Sequence, residues 1–375
     1  MEWRVPLADV KLGVEEENAV LEVLRSGWLT MGAVTQAFEQ EFSVFVGAKH
    51  AFAVNNATAA LHLACLAVGL GEGDEVIAPS LTFVATANAV RYTGAKVVFA
   101  DIESEDWLCI CPQAIEGKIT ERTKAIVMVH YAGFACDMPA ILRIAEKYNL
   151  AVIEDAAHAI GASLDGKALG TWGDVGCYSF FGNKNMTTAE GGMLVTDDDQ
   201  LAEKVRILRS HGMTTLTWDR HQGHASTYDV VALGYNYRID EIRSAIGREQ
   251  LKKLPVGNAR RAILVSRYRQ AFKEQAPALG LPFSGRRGLS SHHIFPVLLP
   301  EGVDREAFRE AMKQDGIQTS FHYPPVHQFQ IYRQEGEELR MTENVAQRQV
   351  TLPLFPGMTD EQQDWVIEST VKALM

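Results

Sequence analysis

Short apolar runs alternate with longer amphipathic segments along the first half of the chain. The apolar runs are rich in Val, Ile and Ala, as in AFAVN, DEVIAP, KVVFAD, KAIVMVH and AVIEDA. Between them lie segments with a helical pattern, such as ATAALHLACLAVGL, FVATANAVRYTG and DMPAILRIAEKYN. This alternation predicts an α/β fold in which helices cover both faces of a mostly parallel sheet. Ligands of such sheets bind at the carboxyl ends of the strands.

The pattern changes in the second half of the chain. We predict helices over 201–210, 240–253, 258–274 and 305–314, and strands over 293–299 and 317–321. The stretch HGMTTLTWDRHQGHASTYD has no clear period and predicts a long loop. These elements predict a smaller α+β domain over 240–375, after a large α/β domain over 1–239.

Composition and charge narrow the class of protein. The 375 residues carry a formal net charge of -11, which argues against nucleic acid as a partner because such proteins normally have a basic surface. The N-terminus lacks the pattern of a signal peptide, and the most apolar window, 51–70, contains Asn55, Asn56 and His62. We therefore expect a cytoplasmic protein that does not cross a membrane.

Five cysteines are scattered through core-like runs, and only Cys109 and Cys111 form a close pair. Zinc sites need two spaced pairs or accompanying histidines, so we expect free thiols and no metal site. Free thiols fit a reducing compartment.

Four polar or aromatic features stand near the predicted strand ends. Asp155 ends the run AVIEDA, and the turn VNNATAAL places Thr58 at a helix start that suits phosphate. Phe83 follows another strand, and Ser179 precedes Lys184 in SFFGNKN. Taken singly, each has a structural explanation: a strand-end acid, a helix cap, a core aromatic and a strand serine. Together they match the needs of a pyridine phosphate cofactor, so we predict that Lys184 forms a Schiff base with pyridoxal 5'-phosphate (PLP).

Motifs along nearly the whole chain resemble the DegT/DnrJ/EryC1/StrS sugar aminotransferases, which are PLP enzymes of fold type I. The motifs are SGWLTMG, NNATAALHLA, GDEVIAPSLTFVATANAV, VIEDAAHAIGA, SFFGNKNMTTAEGGM, LGYNYRIDEIRSAIG, SFHYPPVH and LPLFPGMT. The resemblance implies a seven-stranded, mostly parallel sheet in the large domain. It is especially close to enzymes that aminate C4 of nucleotide-linked 4-keto sugars for surface polysaccharides, and we expect glutamate as the amino donor.

The resemblance also implies roles for individual residues. Lys184 is the cofactor lysine, Asp155 the partner of the pyridine nitrogen, His158 a neighbour of the ring hydroxyl and Phe83 the stacking aromatic. The implied phosphate cup consists of Ala57, Thr58 and Ser179, completed by Asn236 of the second subunit of a homodimer; Arg238 is a weaker candidate for that role. His158 could instead act as an acid or base.

Substrate recognition is less determined by these motifs. An N-terminal substrate segment over about 1–32 contains the candidates Trp28, Leu29, Thr30 and Met31, and a second group consists of His322, Tyr323 and His327. A nucleotide diphosphate needs local cations, for which the candidates are Arg209, His211, Arg220, His221 and His224. The motifs leave open which nucleotide, which sugar, and whether C3 or C4 is aminated.

Three rival hypotheses remain at this point. A PLP-dependent sugar dehydratase of the same family has histidine where this chain has Lys184. A PLP-binding regulator normally carries an added basic DNA-binding module, for which we find no sequence signal. A catalytically silent structural dimer would not need Lys184, Asp155 and the bend at Gly191 and Gly192.

Overall fold

The structure is a computed structural model that describes residues 3–215, 227–285, 288–333 and 338–375. Its strands are β1 His50–Val54, β2 Glu75–Pro79, β3 Lys96–Ala100, β4 Ile102–Ser104, β5 Trp107–Ile110, β6 Thr123–Val129, β7 Ala151–Asp155, β8 Ser163–Leu164, β9 Lys167–Ala168, β10 Val175–Ser179, β11 Gly192–Thr196, β12 Phe295–Leu298 and β13 Gln349–Leu352. Its α-helices are α1 Val14–Ser26, α2 Ala33–Val46, α3 Ala57–Ala67, α4 Ala85–Tyr92, α5 Pro112–Glu116, α6 Met138–Tyr148, α7 Asp199–Leu208, α8 Glu241–Gln275, α9 Arg305–Gln314, α10 Arg340–Arg348 and α11 Asp360–Ala373. Short 3-10 helices span Tyr131–Gly133 and Val326–Gln328.

A seven-stranded sheet with the order β1-β11-β10-β7-β6-β2-β3 forms the centre of the fold. Only β11 runs antiparallel to its neighbours within this sheet. The prediction of a large, mostly parallel sheet is therefore confirmed. Because the other six strands run the same way, Val54, Pro79, Val129, Asp155 and Ser179 end at one edge of the sheet.

Helices cover both faces of this sheet, as the apolar character of its strands predicts. Alternate side chains enter opposite clusters: Ile77 and Val152 pack with α2 and α6, whereas Val76 and Ile153 pack with α3, α4 and α7. The strands are buried on both faces, which explains why they read as nearly continuous apolar runs.

A third core lies in the C-terminal part of the chain. The second half of α8 packs with α9, α11 and the β12-β13 pair, and Val5 from the N-terminal segment joins the same cluster. The division into domains over 1–239 and 240–375 remains a prediction. In the part of the chain that the structure describes, no helix has the length and apolarity needed to cross a membrane.

Three predicted elements are wrong. The helices expected over 240–253 and 258–274 form one continuous helix, α8, with Pro255 inside it. Pro255 itself is exposed, and the helix continues through it although one backbone hydrogen bond is lost there. No strand forms over 317–321: Ile317 makes only an isolated bridge with Val5, and Ser320 one with Thr351.

The start of α8 is tied to the start of α2. The buried Glu241 carboxylate accepts hydrogen bonds from the backbone N-H groups of Gly32, Val34 and Thr35, each at 2.8 Å. A carboxylate at this place satisfies first-turn donors of α2 and complements its dipole. This contact fixes residues 28–32 beside the first turn of α8.

Candidate active site

A cavity of about 820 Å³ opens at the edge where the parallel strands end. The turns after β1, β2 and β10 and the end of β7 contribute to its wall, together with segments near residues 293 and 322. Nine of the predicted site residues line it: Ala57, Thr58, Phe83, Asp155, His158, Ser179, Lys184, His322 and Tyr323. The fold thus brings together residues that are far apart in sequence.

Lys184 lies in the turn after β10, where its N-H donates to the carbonyl of Phe181 at 2.9 Å. Burial lowers the pKa of its amine to about 8, against the opposing attraction of the Asp155 carboxylate. A lysine with this pKa is partly unprotonated near neutral pH, which a nucleophile or base requires.

Asp155 is the last residue of β7 and is buried. Its Oδ2 accepts a hydrogen bond from Thr86 Oγ1 at 2.7 Å, and its Oδ1 accepts one from the N-H of Ala157 at 3.1 Å. Burial raises the pKa of the carboxyl group, although these donors and the nearby Lys184 act in the opposite direction. Such a carboxylate would be stabilised by a cationic ring nitrogen placed in the cavity.

The hydrogen bonds of His158 determine which ring nitrogen carries the proton. The N-H of Ala132 donates to Nδ1 at 3.2 Å, so a neutral His158 has its hydrogen on Nε2, which lies 3.0 Å from the Tyr323 hydroxyl. Burial, with Lys184 and His322 nearby, holds the pKa of His158 well below its usual value. His158 is therefore a neutral donor on the cavity wall.

The start of α3 has the chemistry of a phosphate site. Asn56 caps the helix by accepting from the N-H of Ala59 at 2.8 Å, while Ala57 and Thr58 occupy the first two positions, whose N-H groups have no partner within a helix. Among the described residues, the buried Oδ1 of Asn55 beside them has no hydrogen-bond partner. Gly192 of β11 allows close packing here, because a Cβ would lie 2.7 Å from the backbone carbon of Asn56.

These observations fit a pyridoxal phosphate. The donor set contains an amine of lowered pKa, a buried carboxylate, a helix N-terminus with Ser179 on the same cavity wall, and the half-exposed ring of Phe83. In the described residues, no cluster of three or more His, Cys, Asp or Glu side chains could hold a metal ion.

The sequence matches the DegT/DnrJ/EryC1/StrS aminotransferase family over residues 10–371. The chain belongs to this family. The chain is thus a PLP-dependent sugar aminotransferase, and one protein of similar structure, Spr1654 of Streptococcus pneumoniae, has been solved in both its PLP and PMP forms.

Three similar proteins illustrate the relationship. The spore coat polysaccharide biosynthesis protein SpsC of Bacillus subtilis (strain 168) is 43% identical over 367 residues, covering 96% of this chain and 94% of SpsC. Helicobacter pylori PseC, an aminotransferase involved in the biosynthesis of pseudoaminic acid, has a TM-score of 0.92 and 32% identity, covering 100% of this chain and 99% of PseC. DesI, solved in the presence of its TDP-sugar product, has a TM-score of 0.89 and 31% identity, covering 100% of this chain and 93% of DesI.

Several substrate candidates of the aminotransferase lie outside the cavity wall. Arg209 is buried, pairs with Glu39 and donates to the carbonyl of Ala53 at 2.9 Å, so it holds the fold together instead of facing the cavity. His327 is buried between Ser80 Oγ, 2.7 Å from Nδ1, and Glu343 Oε1, 3.0 Å from Nε2.

The N-terminal candidates do not line the cavity wall either. Thr30 forms a bridge with Asp240, Met31 is buried, and the Trp28 ring packs against Gly32, where a Cβ would lie 2.5 Å from its Nε1. Asn236 is exposed and bridges Ser210. The cation candidates Arg220, His221 and His224 lie outside the described residues.

The structure adds residues that sequence reasoning missed. Thr86 donates a hydrogen bond to the Asp155 carboxylate, and Nε2 of His293 lies 3.5 Å from Lys184 Nζ. Arg243, on the first turn of α8, also lines the cavity. Arg243 belongs to the motif LGYNYRIDEIRSAIG, so its position at the start of an amphipathic helix could have been read from the sequence. The position of His293, in the stretch LSSHHIF, could not.

Proposed function

We propose that the enzyme transfers an amino group from glutamate to C4 of a nucleotide-linked keto sugar, for surface polysaccharide or other glycan biosynthesis. The observation that carries this proposal is the placement of Lys184 and Asp155 in one cavity of a sugar aminotransferase. The name of SpsC supports a role in polysaccharide formation, and the TDP-sugar product of DesI supports a nucleotide-linked substrate. The preference for C4 rests on the resemblance of the sequence motifs.

Pyridoxal phosphate supplies an aldehyde carbon for the amine and a conjugated ring that withdraws electrons. Lys184 would hold the cofactor at that aldehyde carbon and, as a free amine, would accept the proton from Cα of glutamate at Nζ. Its lowered pKa, about 8, leaves the amine partly unprotonated and able to act as this base. Asp155 would keep the ring nitrogen protonated, and Nε2-H of His158, which lies 3.0 Å from the Tyr323 hydroxyl, would face the ring hydroxyl.

Glutamate and the nucleotide-linked sugar both carry negative charge, and the cavity wall has one cationic side chain besides Lys184 that could bind it. Among the described residues on the cavity wall, Lys184 and Arg243 are the only lysine and arginine. Arg243 Nε is 3.5 Å from Asp240 Oδ2, and its side chain is 37% exposed, so this surface pair contributes little and the guanidinium can turn to a ligand. We assign Arg243 to a carboxylate of glutamate or a phosphate of the nucleotide.

A homodimer with shared active sites belongs to the same proposal. Asn236 is exposed and does not line the cavity of its own chain, which is the position expected of a residue that completes the phosphate cup of a partner. The five cysteines are free, which supports a reducing, cytoplasmic environment.

The test is a product analysis with purified protein, PLP and glutamate. UDP-, GDP- and dTDP-linked 4-keto and 3-keto sugars are offered in parallel, and NMR identifies the carbon that carries the new amine. We expect an amino sugar substituted at C4, formation of 2-oxoglutarate, and neither product with Lys184→Ala. Amination at C3 only would contradict the C4 assignment, and loss of a hydroxyl group without nitrogen transfer would indicate a dehydratase.

A further inference from the structure

His293 lies next to the reacting amine of the proposed function, although it is 109 positions away in the chain. Its Nε2 is 3.5 Å from Lys184 Nζ, at the long end of hydrogen-bond distances. The backbone of His293 is held on both sides: its N-H donates to the carbonyl of Ala132 at 3.0 Å, and its carbonyl accepts from Arg261 Nη1 at 3.1 Å. This places the ring beside the amine with little freedom to move.

A chain of two asparagines decides where the proton of His293 resides. Asn185 Nδ2 is 2.7 Å from the carbonyl oxygen of Ser291, which can only accept, so the amide nitrogen of Asn185 must be on that side. The same Nδ2 donates to Asn258 Oδ1 at 2.8 Å, and Asn258 Nδ2 donates in turn to the carbonyl of Ile160 at 2.9 Å. Two backbone carbonyls therefore fix the orientation of both side-chain amides.

The fixed amide leaves Asn185 Oδ1 facing His293 Nδ1 at 3.0 Å. An amide oxygen only accepts, so Nδ1 of His293 carries the hydrogen and Nε2 of the neutral ring has a free lone pair. That lone pair is on the side of Lys184 Nζ. His293 Nε2 can therefore accept a hydrogen bond from one N-H of Lys184, whether the lysine is protonated or not.

We propose that His293 is a catalytic residue whose Nε2 accepts a hydrogen bond from the Lys184 amine, and that Asn185 and Asn258 are positioning residues that keep the His293 proton on Nδ1. This rests on the proposed role of Lys184 as the amine that reacts. Holding one N-H reduces the rotational freedom of the released amine and keeps it near the substrate carbon. The hydrogen bond also favours the ammonium form and so opposes the effect of burial.

Several other charged and titratable groups surround Lys184 and His293. The Asp155 carboxylate acts on the pKa of Lys184, and Lys184 in turn lowers the pKa values of His158, His322 and His293. Besides Lys184, the groups that act on His293 are His158, at 4.4 Å between ring centroids, Arg261 and His322. Burial, together with these neighbouring groups, holds the pKa of His293 well below its usual value, which keeps the ring neutral.

The test measures the pKa of Lys184 in the full chain without cofactor. Acetic anhydride labels unprotonated amines, and mass spectrometry follows the labelling of Lys184 across pH. We expect a midpoint of about 8 for the wild type. His293→Leu removes the acceptor at similar volume and should lower the midpoint by about one unit. His293→Gln retains an oxygen that can accept, and its midpoint should stay close to that of the wild type.

His292→Asn is the matched control, because His292 is the adjacent histidine and its ring packs on Phe134 instead of approaching Lys184. Its midpoint should equal that of the wild type. An unchanged or raised midpoint in His293→Leu would overturn the proposal, and so would equal midpoints for the Leu and Gln variants, since packing alone would then explain the effect.

A second measurement does not need any substitution at residue 293. In protein with 15N-labelled histidine, NMR should report the Nδ1-H tautomer for His293, and Asn185→Leu should abolish that preference. An Nε2-H tautomer in the wild type overturns the proposal. Borohydride reduction with PLP separates this inference from the proposed function: if no pyridoxyl group is attached to Lys184, the role of the lysine fails, whereas the coupling to His293 is measured without cofactor.

Discussion

At the scale of single residues, the site keeps a carboxylate and an amine buried near each other at a cost to the folded protein. Asp155 has a raised pKa because burial outweighs its hydrogen bonds from Thr86 and Ala157. Lys184 has a pKa lowered to about 8 for the same reason. Buried groups whose pKa values are shifted in this way lower the stability of the cofactor-free protein, and such groups are typical of functional sites.

Asp155→Asn should therefore separate activity from stability. Asparagine can keep the hydrogen bonds of residue 155, because its Oδ1 still accepts from Ala157 and its Nδ2 can donate to Thr86. We expect turnover with glutamate to fall about 100-fold or more, since the partner of the ring nitrogen is lost. The Tm of the cofactor-free variant should equal or exceed that of the wild type at pH 7.

The pH dependence of that stability gain provides the control. The Asp155 carboxyl has a folded-state pKa above its ordinary value of 3.8, so the burial cost is present at neutral pH and disappears as both states become protonated. The difference in Tm should shrink as pH falls toward 4. Unchanged turnover in Asp155→Asn would refute the assignment of this residue.

Lys184→Met makes the corresponding test on the amine. The folded-state pKa of about 8 lies below the ordinary 10.5, so the unfolded chain binds more protons between these values and wild-type stability gains from rising pH. The variant should be more stable than the cofactor-free wild type at pH 7, by roughly 2 kcal/mol after allowing for solvent in the cavity. Urea unfolding should show this difference decline toward pH 10; a difference independent of pH would contradict the lowered pKa.

At the scale of elements, the phosphate cup depends on how closely β11 approaches the start of α3. A Cβ at Gly192 would lie 2.8 Å from the N of Ala57 and 2.9 Å from the O of Asn56, and backbone atoms cannot move aside as a flexible side chain can. Gly192→Ala should displace the α3 N-terminus, at roughly 1–3 kcal/mol of stability. PLP affinity, measured by equilibrium dialysis, should weaken by about tenfold or more as the amides of Ala57 and Thr58 move.

Gly182→Ala is the matched control, because among the described residues no atom lies within 4 Å of a Cβ at Gly182. Its stability should change by less than about 0.5 kcal/mol, and its PLP affinity should stay that of the wild type. Equal effects of the two substitutions would mean that the approach of β11 to α3 does not shape the cup.

The elements of the sheet could be predicted because each is a short apolar run buried on both faces, and its following turn carries the polar residue. Asp155 and Ser179 end their strands, so their convergence follows from parallel strand direction alone. Local rules failed where tertiary contacts decide. Two helices were expected over 240–253 and 258–274, yet α8 runs through Pro255 in one piece and packs against α1, α2 and α11.

Side-chain partners across long sequence distances could not be predicted at all. His293 meets Lys184 and Asn185 only through the return of the chain after α8, and no periodicity marks it. Arg209 had the charge expected of a substrate ligand, but its pairing with Glu39 depends on α2 packing against β1. Charge alone does not tell which cations face the cavity.

At the scale of the whole molecule, the proposed shared site makes activity depend on two chains. Arg243 and Lys184 are cations that each chain brings to its own cavity, whereas Asn236 is turned to the outside of the chain that carries it. In an isologous dimer, such a residue can complete the site of the partner, and the partner returns the same contact. Each site would then combine Lys184 of one chain with Asn236 of the other.

Mixing two inactive variants tests this arrangement directly. We take Lys184→Ala and Asn236→Ala, each inactive or nearly so, and let their dimers exchange subunits. If Asn236 serves the partner, a mixed dimer holds one site with both defects and one site that is entirely wild type. Random exchange of equal amounts makes about half of the dimers mixed, and each mixed dimer has one active site out of two. Activity per site should therefore recover to about a quarter of the wild-type value. If Asn236 acts only within its own chain, every site keeps one defect and mixing restores nothing; size-exclusion chromatography with a mass detector confirms that exchange took place.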